Sequence, residues 1–375
     1  MINTQADPQF RLFIVGSGFM AKAHSRAAIA TGRVSEIHSA DPDRMARKDF
    51  QSEFPKSFLY DRANTMLSIA PAQNDIVVIA TPPWLHESYV DLALRSHRDV
   101  ISESPLFTSR EATKSIQTTL SETQKTLFSC GGRFLNNPAT QKVASLVQQH
   151  QLGEIYSVKL RQCMPRMRFG IELQPESKWF ADVKQNGGGC LMDWGPYDLA
   201  NLDYILAPKA ISILHVRLAQ PELPKSSAHP PIFDVESHAI ATLIYHLPDE
   251  SQVQVHYERA TGSYEPERNE ATITGTRGSA EWTLMGSNEP IQLLLRDAQN
   301  ESTETFTFKS PGELWSSRAP LWEALKKLKN QPHLVVADGD ALFQSAVLSG
   351  LYESAASGKP LQIKRCDFSD HTQTA

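Results

Sequence analysis

The sequence lacks the patterns that mark membrane, secreted and zinc-stabilised proteins. No apolar run approaches the ~20 residues that a membrane span needs. The first residues, Met1–Gln9, are polar and show no basic-then-apolar signal pattern. The four cysteines lie far apart, at Cys130, Cys163, Cys190 and Cys366. Because none of them forms a C-x-x-C pair, we expect neither disulfides nor a metal site. Because the sequence also shows no membrane span and no signal pattern, we expect a cytoplasmic protein.

The chain also lacks a strong excess of one charge. Its 37 Lys and Arg residues against 42 Asp and Glu residues give a formal net charge of -5, and no run is strongly basic. Nucleic-acid binders concentrate positive charge, so no nucleic-acid partner is expected. There is no internal repeat, and the Pro- and Ser-rich stretch Pro221–Pro231 predicts a loop. A chain of 375 residues is long enough for two domains.

The first informative segment predicts a strand, a tight turn and a helix. Arg11–Val15 (RLFIV) has the apolar run of a buried strand and leads directly into Gly16–Ala21 (GSGFMA). Dinucleotide binding needs this order, because one glycine makes the turn, a second lets the backbone approach the pyrophosphate, and a small residue lets the helix pack on the strand. The positive helix N-terminus favours the pyrophosphate. The predicted contacts are Gly16, Gly18, Phe19, Met20 and Ala21.

An acidic residue stands where the adenosine ribose is expected. A second strand, Glu36–Ala40, ends at Asp41, twenty residues after the small residue of the turn. A carboxylate there accepts hydrogen bonds from the ribose hydroxyls and repels a ribose phosphate, which favours NAD over NADP. Arg44 and Arg47 follow closely and leave NADP as the alternative. Asp41 also fits a helix N-cap, and the two roles are compatible.

The blocks that follow are specific to one family. After a strand at Asp75–Ala80 come the loop ATPPWLH, a helix and the segment Val100–Pro105 (VISESP). With GSGFMAKAH, ATPPWLH, ESP and RFLNNP in this order, the chain resembles the glucose-fructose oxidoreductase / inositol dehydrogenase (Gfo/Idh/MocA) family. The resemblance adds Thr81, Pro82, His86 and Glu103 to the predicted cofactor contacts.

The resemblance continues through the second half of the chain. Gly187–Asp198 (GGGCLMDWGPYD) resembles the family's substrate-site motif, Ile273–Trp282 its sheet edge and Tyr352–Leu361 its closing helix. It implies an α/β protein with an N-terminal Rossmann domain, a doubly wound parallel sheet, over 10–133. It also implies a C-terminal α+β domain with a large open, mostly antiparallel sheet over 134–366. In relatives the broad face of that sheet serves an interface, so a homodimer or homotetramer is expected.

The strand pattern after Gly153 agrees with such a sheet. Four segments show period-two alternation or β-branched enrichment, which is typical of strands with one buried face. These segments are Glu154–Gln162, Ser237–Tyr245, Gln252–Tyr257 and Ala271–Thr274.

One departure from the family bears on the chemistry. Most relatives carry Glu-Lys-Pro where this chain has Glu103-Ser104-Pro105, and the resemblance places that lysine between nicotinamide and substrate, where it assists proton transfer. A serine hydroxyl can hydrogen-bond a substrate oxygen but is neither cationic nor a base near neutral pH. We therefore predict Ser104 as a substrate hydrogen-bond donor, and the proton must move through another group.

The second departure supplies that group. In Asp193-x-Gly195-x-Tyr197 many relatives have histidine in the last position and a minority have tyrosine. A phenol with a pKa of about 10 donates a proton readily to a carbonyl, so we predict Tyr197 as the acid. Asp193, one helical turn earlier, would orient substrate hydroxyls. The alternative is a helix N-cap at Asp193 and a buried anchor at Tyr197, and Gly187–Gly189 either passes close to the substrate or forms a flexible turn.

Other polar residues are candidates for binding the substrate. Lys178 leads into the glycine motif, with a surface lysine as the alternative. Asn137, in RFLNNP, could reach the substrate. Arg161, Arg166 and Arg168 would suit an acidic or phosphorylated substrate, and Arg161 on a strand alternatively faces solvent.

Three functions fit these residues. The first is an NAD(P)-dependent oxidoreductase that transfers a hydride between the nicotinamide and a secondary alcohol or carbonyl of a sugar, polyol or related small molecule. The second is a lyase or glycosidase that uses retained NAD in a cycle of transient oxidation, elimination and reduction, because Ser104 replaces the lysine. The third is a catalytically inactive NAD-binding regulator. The whole-chain resemblance favours the first.

Overall fold

The computed structural model describes residues 9–165, 175–220, 232–284, 291–297, 302–309 and 315–368, and the loop predicted at Pro221–Pro231 lies outside them. Its strands are β1 Phe10–Val15, β2 Val34–Ala40, β3 Phe58–Tyr60, β4 Asp75–Ile79, β5 Asp99–Ser102, β6 Leu127–Ser129, β7 Ile155–Met164, β8 Ala210–Ala219, β9 His238–His246, β10 Gln252–Thr261, β11 Arg268–Gly275, β12 Gly278–Trp282, β13 Ile291–Asp297, β14 Ser302–Phe308, β15 Val336–Ala337 and β16 Leu361–Lys364. Its α-helices are α1 Phe19–Ala30, α2 Arg44–Glu53, α3 Ala63–Leu67, α4 His86–Arg95, α5 Arg110–Thr123, α6 Pro138–Gln148, α7 Val183–Asn186, α8 Cys190–Leu206, α9 Trp315–Lys327 and α10 Asp338–Ser357. None of the helices in the described ranges is both long enough and apolar enough to cross a membrane.

The first compact unit contains a seven-stranded sheet. It is built from residues 9–107, 114–133 and 315–341. The strand order is β15-β6-β5-β4-β1-β2-β3, and all neighbours are parallel except β15, which is antiparallel to β6. The order from β6 to β3 is that of a dinucleotide-binding Rossmann sheet. The prediction of a doubly wound parallel sheet is confirmed, and the strand order reverses between β1 and β4, where such sheets bind ligands.

Apolar strands form the centre of this sheet. Every residue of β4 is buried, as expected of a parallel strand covered on both faces. Ile14 of β1 and Val78 of β4 are 0% exposed and pack in one core cluster with residues of α1. The carboxyl ends of β1 and β4 are therefore held side by side.

Helix α9 and strand β15 also belong to this unit, although they lie late in the chain. Leu321 and Leu325 of α9 pack in its core cluster, and the indole N–H of Trp322 donates to the carbonyl oxygen of Ala27 at 3.1 Å. The predicted division placed 134–366 in the second domain, whereas the structure places the described residues 315–341 in the first unit and 108–113 in the second. The reason is that α9 buries its apolar side chains against α1, and no local sequence motif predicts this contact.

The second compact unit contains a nine-stranded sheet. It is built from the described parts of 108–113, 134–313 and 342–368. The order is β14-β13-β12-β11-β7-β10-β9-β8-β16, antiparallel throughout except for the parallel pair β7 and β10. The mostly antiparallel sheet is confirmed, and the four predicted strands form β7, β9, β10 and β11.

Two details of the second unit differ from the family-based expectation. Ile273–Trp282 spans β11 and β12, which lie inside the sheet, whereas the edge strands are β14 and β16. Tyr352–Leu361 is a closing helix only up to Ser357, where α10 ends, and the chain then enters β16. Helix α8, which carries Asp193 and Tyr197, lies against β9 and β10.

Candidate cofactor and substrate sites

In the turn after β1, Gly16 is crowded by neighbouring backbone atoms, whereas Gly18 faces open space where a dinucleotide would lie. Gly16 has a φ of +104°, and a Cβ there would stand 2.5 Å from the carbonyl oxygen of Ala80, so only glycine fits. A Cβ on Gly18 would meet nothing within 4 Å. Helix α1 follows with no side-chain cap and no acidic residue in its first turn, which leaves its N-terminus suited to an anion. Ala21 is fully buried, as predicted for the helix-packing position.

Asp41 lies at the carboxyl end of β2, next to this turn. The N–H of Ser17 donates to its Oδ2 at 2.9 Å, and the N–H of Asp43 donates to its Oδ1 at 2.9 Å. The N-cap of α2 is Asp43, so the alternative that made Asp41 the cap is wrong. The guanidinium of Arg47 donates to the carbonyl oxygen of Asp41, and Arg44 is exposed. The carboxylate thus stands at the strand end that holds the ribose in Rossmann folds.

His86 joins the loop after β4 to the segment after β5. Its Nδ1 lies 2.8 Å from the carbonyl oxygen of Pro105, and its Nε2 lies 2.9 Å from that of Thr81. The ring is 1% exposed, and burial lowers the pKa of His86. Its ring nitrogens therefore face backbone carbonyls rather than a cofactor. The hydroxyl of Thr81 is buried with no partner among the described residues, so it can bond a bound group.

The Glu103 carboxylate is buried and is hydrogen-bonded by Arg133 and His24. Nη2 of Arg133 donates to both carboxylate oxygens at 2.6 Å, and Nε2 of His24 lies 2.8 Å from Oε1. Burial alone would raise the pKa of Glu103, but the Arg133 charge and the His24 hydrogen bond outweigh it and hold this pKa well below its usual range. The sequence predicted a cofactor contact, whereas the structure commits the carboxylate to Arg133 and His24. Neither partner is signalled by spacing.

Cys130 completes a group of three potential metal ligands with His24 and Glu103. Arg133 occupies both carboxylate oxygens, and burial raises the pKa of the Cys130 thiol well above its usual value. A guanidinium bound to the carboxylate and a protonated thiol both oppose a cation, so we assign no metal to this cluster.

Ser104 follows Glu103 directly. Its hydroxyl oxygen is buried with no hydrogen-bond partner in the part of the chain that the structure describes. The peptide bond to Pro105 is cis. An orphaned buried hydroxyl is costly unless a ligand bonds it, which fits the predicted substrate contact.

Asp193 and Tyr197 lie one turn apart on α8, in the second unit, and both are partly exposed. The ring of Tyr197 packs edge-on against Phe134, with centroids 5.0 Å apart, and against Trp194 at 5.9 Å. The N-cap of α8 is Gly189, so the alternative role of Asp193 as the cap is wrong. The helix thus presents a carboxylate and a phenol with fixed spacing.

Glu236 caps α8 from outside the helix. Its carboxylate accepts hydrogen bonds from the N–H of Gly189 at 2.8 Å, the N–H of Leu191 at 3.0 Å and the hydroxyl of Tyr352 at 2.8 Å. Burial raises the pKa of Glu236 and that of Tyr352. Sequence reasoning missed this pair, because a single acidic residue before a strand carries no motif.

The glycines before α8 are required by this arrangement. A Cβ on Gly189 would stand 1.7 Å from the carbonyl oxygen of Glu236, and one on Gly188 would stand 2.2 Å from the hydroxyl of Tyr352. Gly187 has a φ of +82°, which glycine tolerates best. The run is therefore a fixed entry to the helix rather than a flexible turn.

A buried ion pair fastens α8 to the sheet. Asp198 is 0% exposed and accepts hydrogen bonds from Nε of Arg259 at 3.0 Å and from the hydroxyl of Tyr257 at 2.9 Å. Both donors lie on β10. Asp198 was not predicted as a functional residue, and it ties the turn of α8 that carries Tyr197 to β10.

A pocket opens beside Asp193 within this unit, and we call it the α8 pocket. The residues that matter for its chemistry are Phe180, Asn186, Asp193, Phe233, Glu236 and Ser237.

Asn137 has a structural role. It is the N-cap of α6, where its Oδ1 accepts from the N–H of Ala139 at 2.9 Å. Its Nδ2 donates to the carbonyl oxygens of Thr283 and Leu284 at 2.9 and 3.0 Å. The whole amide is thus used inside the unit, and Asn137 is 2% exposed, which does not favour the predicted substrate contact.

The remaining predicted contacts do not line the α8 pocket either. Arg161 pairs with Glu258 on the neighbouring strand, Nε to Oε2 at 2.6 Å. Lys178 is exposed on a short 3-10 helix. Arg166 and Arg168 lie outside the described residues.

Two family models match the chain. The model of the GFO/IDH/MocA C-terminal domain matches residues 140–281. The model described as an oxidoreductase family with an NAD-binding Rossmann fold matches residues 10–130, and together the two span more than half of the chain. The chain belongs to the Gfo/Idh/MocA family. Its first unit is accordingly an NAD(P)-binding Rossmann domain.

Curated relatives of this family member have names that refer to sugars and related compounds. D-xylose 1-dehydrogenase [NADP(+)] of Haloarcula marismortui is 24% identical over 215 residues, which cover 56% of this chain and 58% of that protein. The dTDP-3,4-didehydro-2,6-dideoxy-alpha-D-glucose 3-reductase of Actinomadura kijaniata is 30% identical over 125 residues, covering 33% and 35%. The chain thus spans less than two-thirds of the length of these relatives.

Solved structures share the fold over nearly the whole chain. Levoglucosan dehydrogenase in complex with NADH and levoglucosan superposes with a TM-score of 0.75 at 17% identity, covering 95% of this chain and 100% of that one. Aldose-aldose oxidoreductase from Caulobacter crescentus in complex with glycerol gives 0.72 at 17% identity, with the same coverages. At these identities the likeness shows the fold.

Proposed function

We propose that this protein is an NAD(P)-dependent oxidoreductase that moves a hydride between the nicotinamide and a secondary alcohol or carbonyl of a sugar, polyol or related small molecule. The observation that carries the proposal is that one chain has an open turn at Gly18, where a dinucleotide can lie, and also presents Asp193 and Tyr197 on one helix. The relatives named as a D-xylose dehydrogenase and as a 3-reductase of a deoxysugar nucleotide support a carbohydrate substrate.

Each side chain has a distinct task in this proposal. A bound nicotinamide would supply or take up the hydride. Tyr197 exchanges the proton with the reacting oxygen, and its phenol donates readily in the reduction direction. Asp193 accepts hydrogen bonds from substrate hydroxyls and so fixes their orientation. The orphaned hydroxyl of Ser104 donates a hydrogen bond to a substrate oxygen.

The proposal includes NAD as the preferred cofactor. The carboxylate of Asp41, held by the N–H groups of Ser17 and Asp43, would accept hydrogen bonds from the ribose and repel a ribose phosphate. Arg47 already donates from Nη1 to the carbonyl oxygens of Asp41 and Pro42.

We also propose assembly as a homodimer or homotetramer through the nine-stranded sheet. Support comes from apolar side chains that its strands leave exposed, Tyr156 at 52%, Leu214 at 44% and Ile240 at 45%. Light scattering at micromolar concentration measures the mass, and a monomer would contradict this part of the proposal.

The function is tested by nucleotide content and turnover. The purified protein is stripped of nucleotide, titrated with NAD and with NADP, and then assayed with a panel of sugars and polyols. Saturable binding with stoichiometric nicotinamide reduction supports the proposal. Product formation with retained NAD and no net NADH would select the transient oxidation cycle instead, and binding of neither nucleotide would overturn both.

A further inference from the structure

The ring of Tyr197 packs against two other aromatic rings of the second unit. Phe134 meets it at an interplanar angle of 83° and Trp194 at 69°, and both pairs are edge-on. Their centroid separations lie within the range in which edge-to-face rings attract each other. Two such contacts restrict the rotation of the Tyr197 ring, so the place of its hydroxyl depends on where the Trp194 ring lies.

The Trp194 ring is held by Arg259 of β10. The guanidinium carbon of Arg259 lies 5.4 Å from the centroid of the Trp194 ring, within reach of a cation–π interaction. The indole N–H of Trp194 has no hydrogen-bond partner among the described residues. The orientation of this side chain therefore depends on its ring contacts rather than on a hydrogen bond.

The same guanidinium also binds the next turn of α8. Its Nε donates to Oδ2 of Asp198 at 3.0 Å, and its Nη2 donates to Oδ1. Arg259 thus contacts Trp194 and Asp198, which lie four residues apart on one helix, with Tyr197 between them in sequence. A planar guanidinium can stack on a ring and bind a carboxylate bidentately, whereas the ammonium of lysine is a compact point charge.

Arg259 itself has a fixed place in the sheet. It is 3% exposed, and its backbone lies in register with Ala239 of β9 on one side and Gln162 of β7 on the other. The hydroxyl of Tyr257, on the same strand, donates to the carboxylate that Arg259 binds. A strand paired on both sides therefore sets where the Trp194 ring packs.

We propose that Arg259 is a positioning residue for proton transfer at Tyr197. Its guanidinium fixes Trp194 by a cation–π contact and Asp198 by a bidentate ion pair, and Trp194 in turn fixes the Tyr197 ring. This inference rests on the proposed function, to which it adds a residue that the sequence did not single out.

A double-mutant cycle separates positioning from a purely structural role. Initial rates with NAD and the panel of sugars and polyols are measured on the full-length wild type, Arg259→Lys, Tyr197→Phe and the double variant. Arg259→Lys should lower kcat about tenfold with KM unchanged, because the proton moves only in the transition state. In the Tyr197→Phe background it should lower kcat by less than about twofold, since the hydroxyl to be positioned is gone. An equal factor in both backgrounds, or no loss in the first, overturns the proposal.

Two further variants complete the cycle. Arg365→Lys is the matched control, because Arg365 also pairs with an acidic residue of α8, Asp203, and lies over an aromatic ring, that of Phe343. It should leave kcat within about twofold of the wild type. Trp194→Leu keeps the Arg259 ion pair but removes the ring, and its effect on kcat must depend on Tyr197 in the same way. The test therefore stands even where Arg259→Lys fails to fold.

A second measurement does not depend on turnover. In NMR spectra of the protein with isotope-labelled tyrosine, the Tyr197 signal is assigned by its loss in Tyr197→Phe. Arg259→Lys should shift this signal in the same direction as Trp194→Leu does, whereas Arg365→Lys should leave it in place. An unmoved signal in Arg259→Lys overturns the proposal. A moved signal in a protein without turnover would keep the positioning and remove the proposed function, whereas turnover with equal factors in the cycle would do the reverse.

Discussion

The carbonyl oxygen of Glu236 lies 1.7 Å from the point where a Cβ on residue 189 would stand, so the chain can enter α8 here only through Gly189. The Glu236 carboxylate also accepts the Gly189 N–H at 2.8 Å. The same residue therefore dictates the sequence of the turn and caps the helix that carries Asp193 and Tyr197. The positions of Asp193 and Tyr197 depend on this contact.

Gly189→Ala should destabilise the protein. The added methyl group would overlap a backbone oxygen, and relief requires a shift of the helix start, at a cost of about 2 to 3 kcal/mol. Gly358→Ala is the comparison, because Gly358 has a φ of +66° but open space around it, and should cost only about 1 kcal/mol. Chemical denaturation measures both, and equal unfolding free energies for Gly189→Ala and the wild type would contradict the account.

Gly18→Ala should separate binding from folding. A Cβ there meets no protein atom within 4 Å and the backbone φ is -78°, so the unfolding free energy should stay within about 0.5 kcal/mol of the wild type. The methyl group would instead enter the space of the pyrophosphate and weaken NAD binding about tenfold or more. Unchanged affinity for NAD would show that the dinucleotide does not approach this turn.

Glu103→Gln should reveal a pH-dependent contribution to stability. The folded-state pKa of Glu103 is depressed, so its ionised form stabilises the fold fully above the ordinary value of 4.5, and this contribution is lost as the pH falls below that value. At neutral pH the variant removes the buried charge with which Arg133 pairs, at a cost of about 3 kcal/mol.

The difference in unfolding free energy between Glu103→Gln and the wild type should shrink as the pH falls from 7 toward 3. Glu353→Gln, which removes the carboxylate of a more exposed pair with Arg110, serves as the control and should show a small difference throughout. A difference in unfolding free energy between Glu103→Gln and the wild type that grows as the pH falls would contradict this account.

Asp41→Ser should change the choice of cofactor. Removal of the carboxylate abolishes its repulsion of a ribose phosphate and its hydrogen bonds to ribose hydroxyls, so the NAD to NADP affinity ratio should fall about tenfold or more. Asp43→Ser, two residues along at the N-cap of α2, keeps a capping hydroxyl and should leave the ratio unchanged. The same ratio in Asp41→Ser and the wild type would remove Asp41 from cofactor selection.

Local patterns predicted the glycine turn and individual strands of both sheets, whereas the arrangement of the second sheet was implied by the family resemblance. The alternation in β9 and the order strand, glycines, helix at β1 and α1 are properties of neighbouring residues. The return of α9 to the first unit, the cap from Glu236 and the His24–Glu103–Arg133 cluster depend on residues between 30 and 295 positions apart, such as Glu103 with Arg133 and Ala27 with Trp322. Spacing rules do not encode such contacts, so the sequence predicts a cofactor contact for Glu103 and a substrate contact for Asn137, where the structure shows hydrogen bonds within the protein.

The most direct test of the central claim is the initial rate of nicotinamide reduction by sugars and polyols, measured for the wild type, Tyr197→Phe and Tyr204→Phe. Tyr204 lies two turns further along α8 and serves as the matched control. We predict turnover by the wild type and the control, and a loss of about a hundredfold or more in Tyr197→Phe with unchanged NAD binding, because only the proton-carrying hydroxyl is removed. No turnover of any panel member by the wild type, or equal rates for Tyr197→Phe and the wild type, would contradict the account.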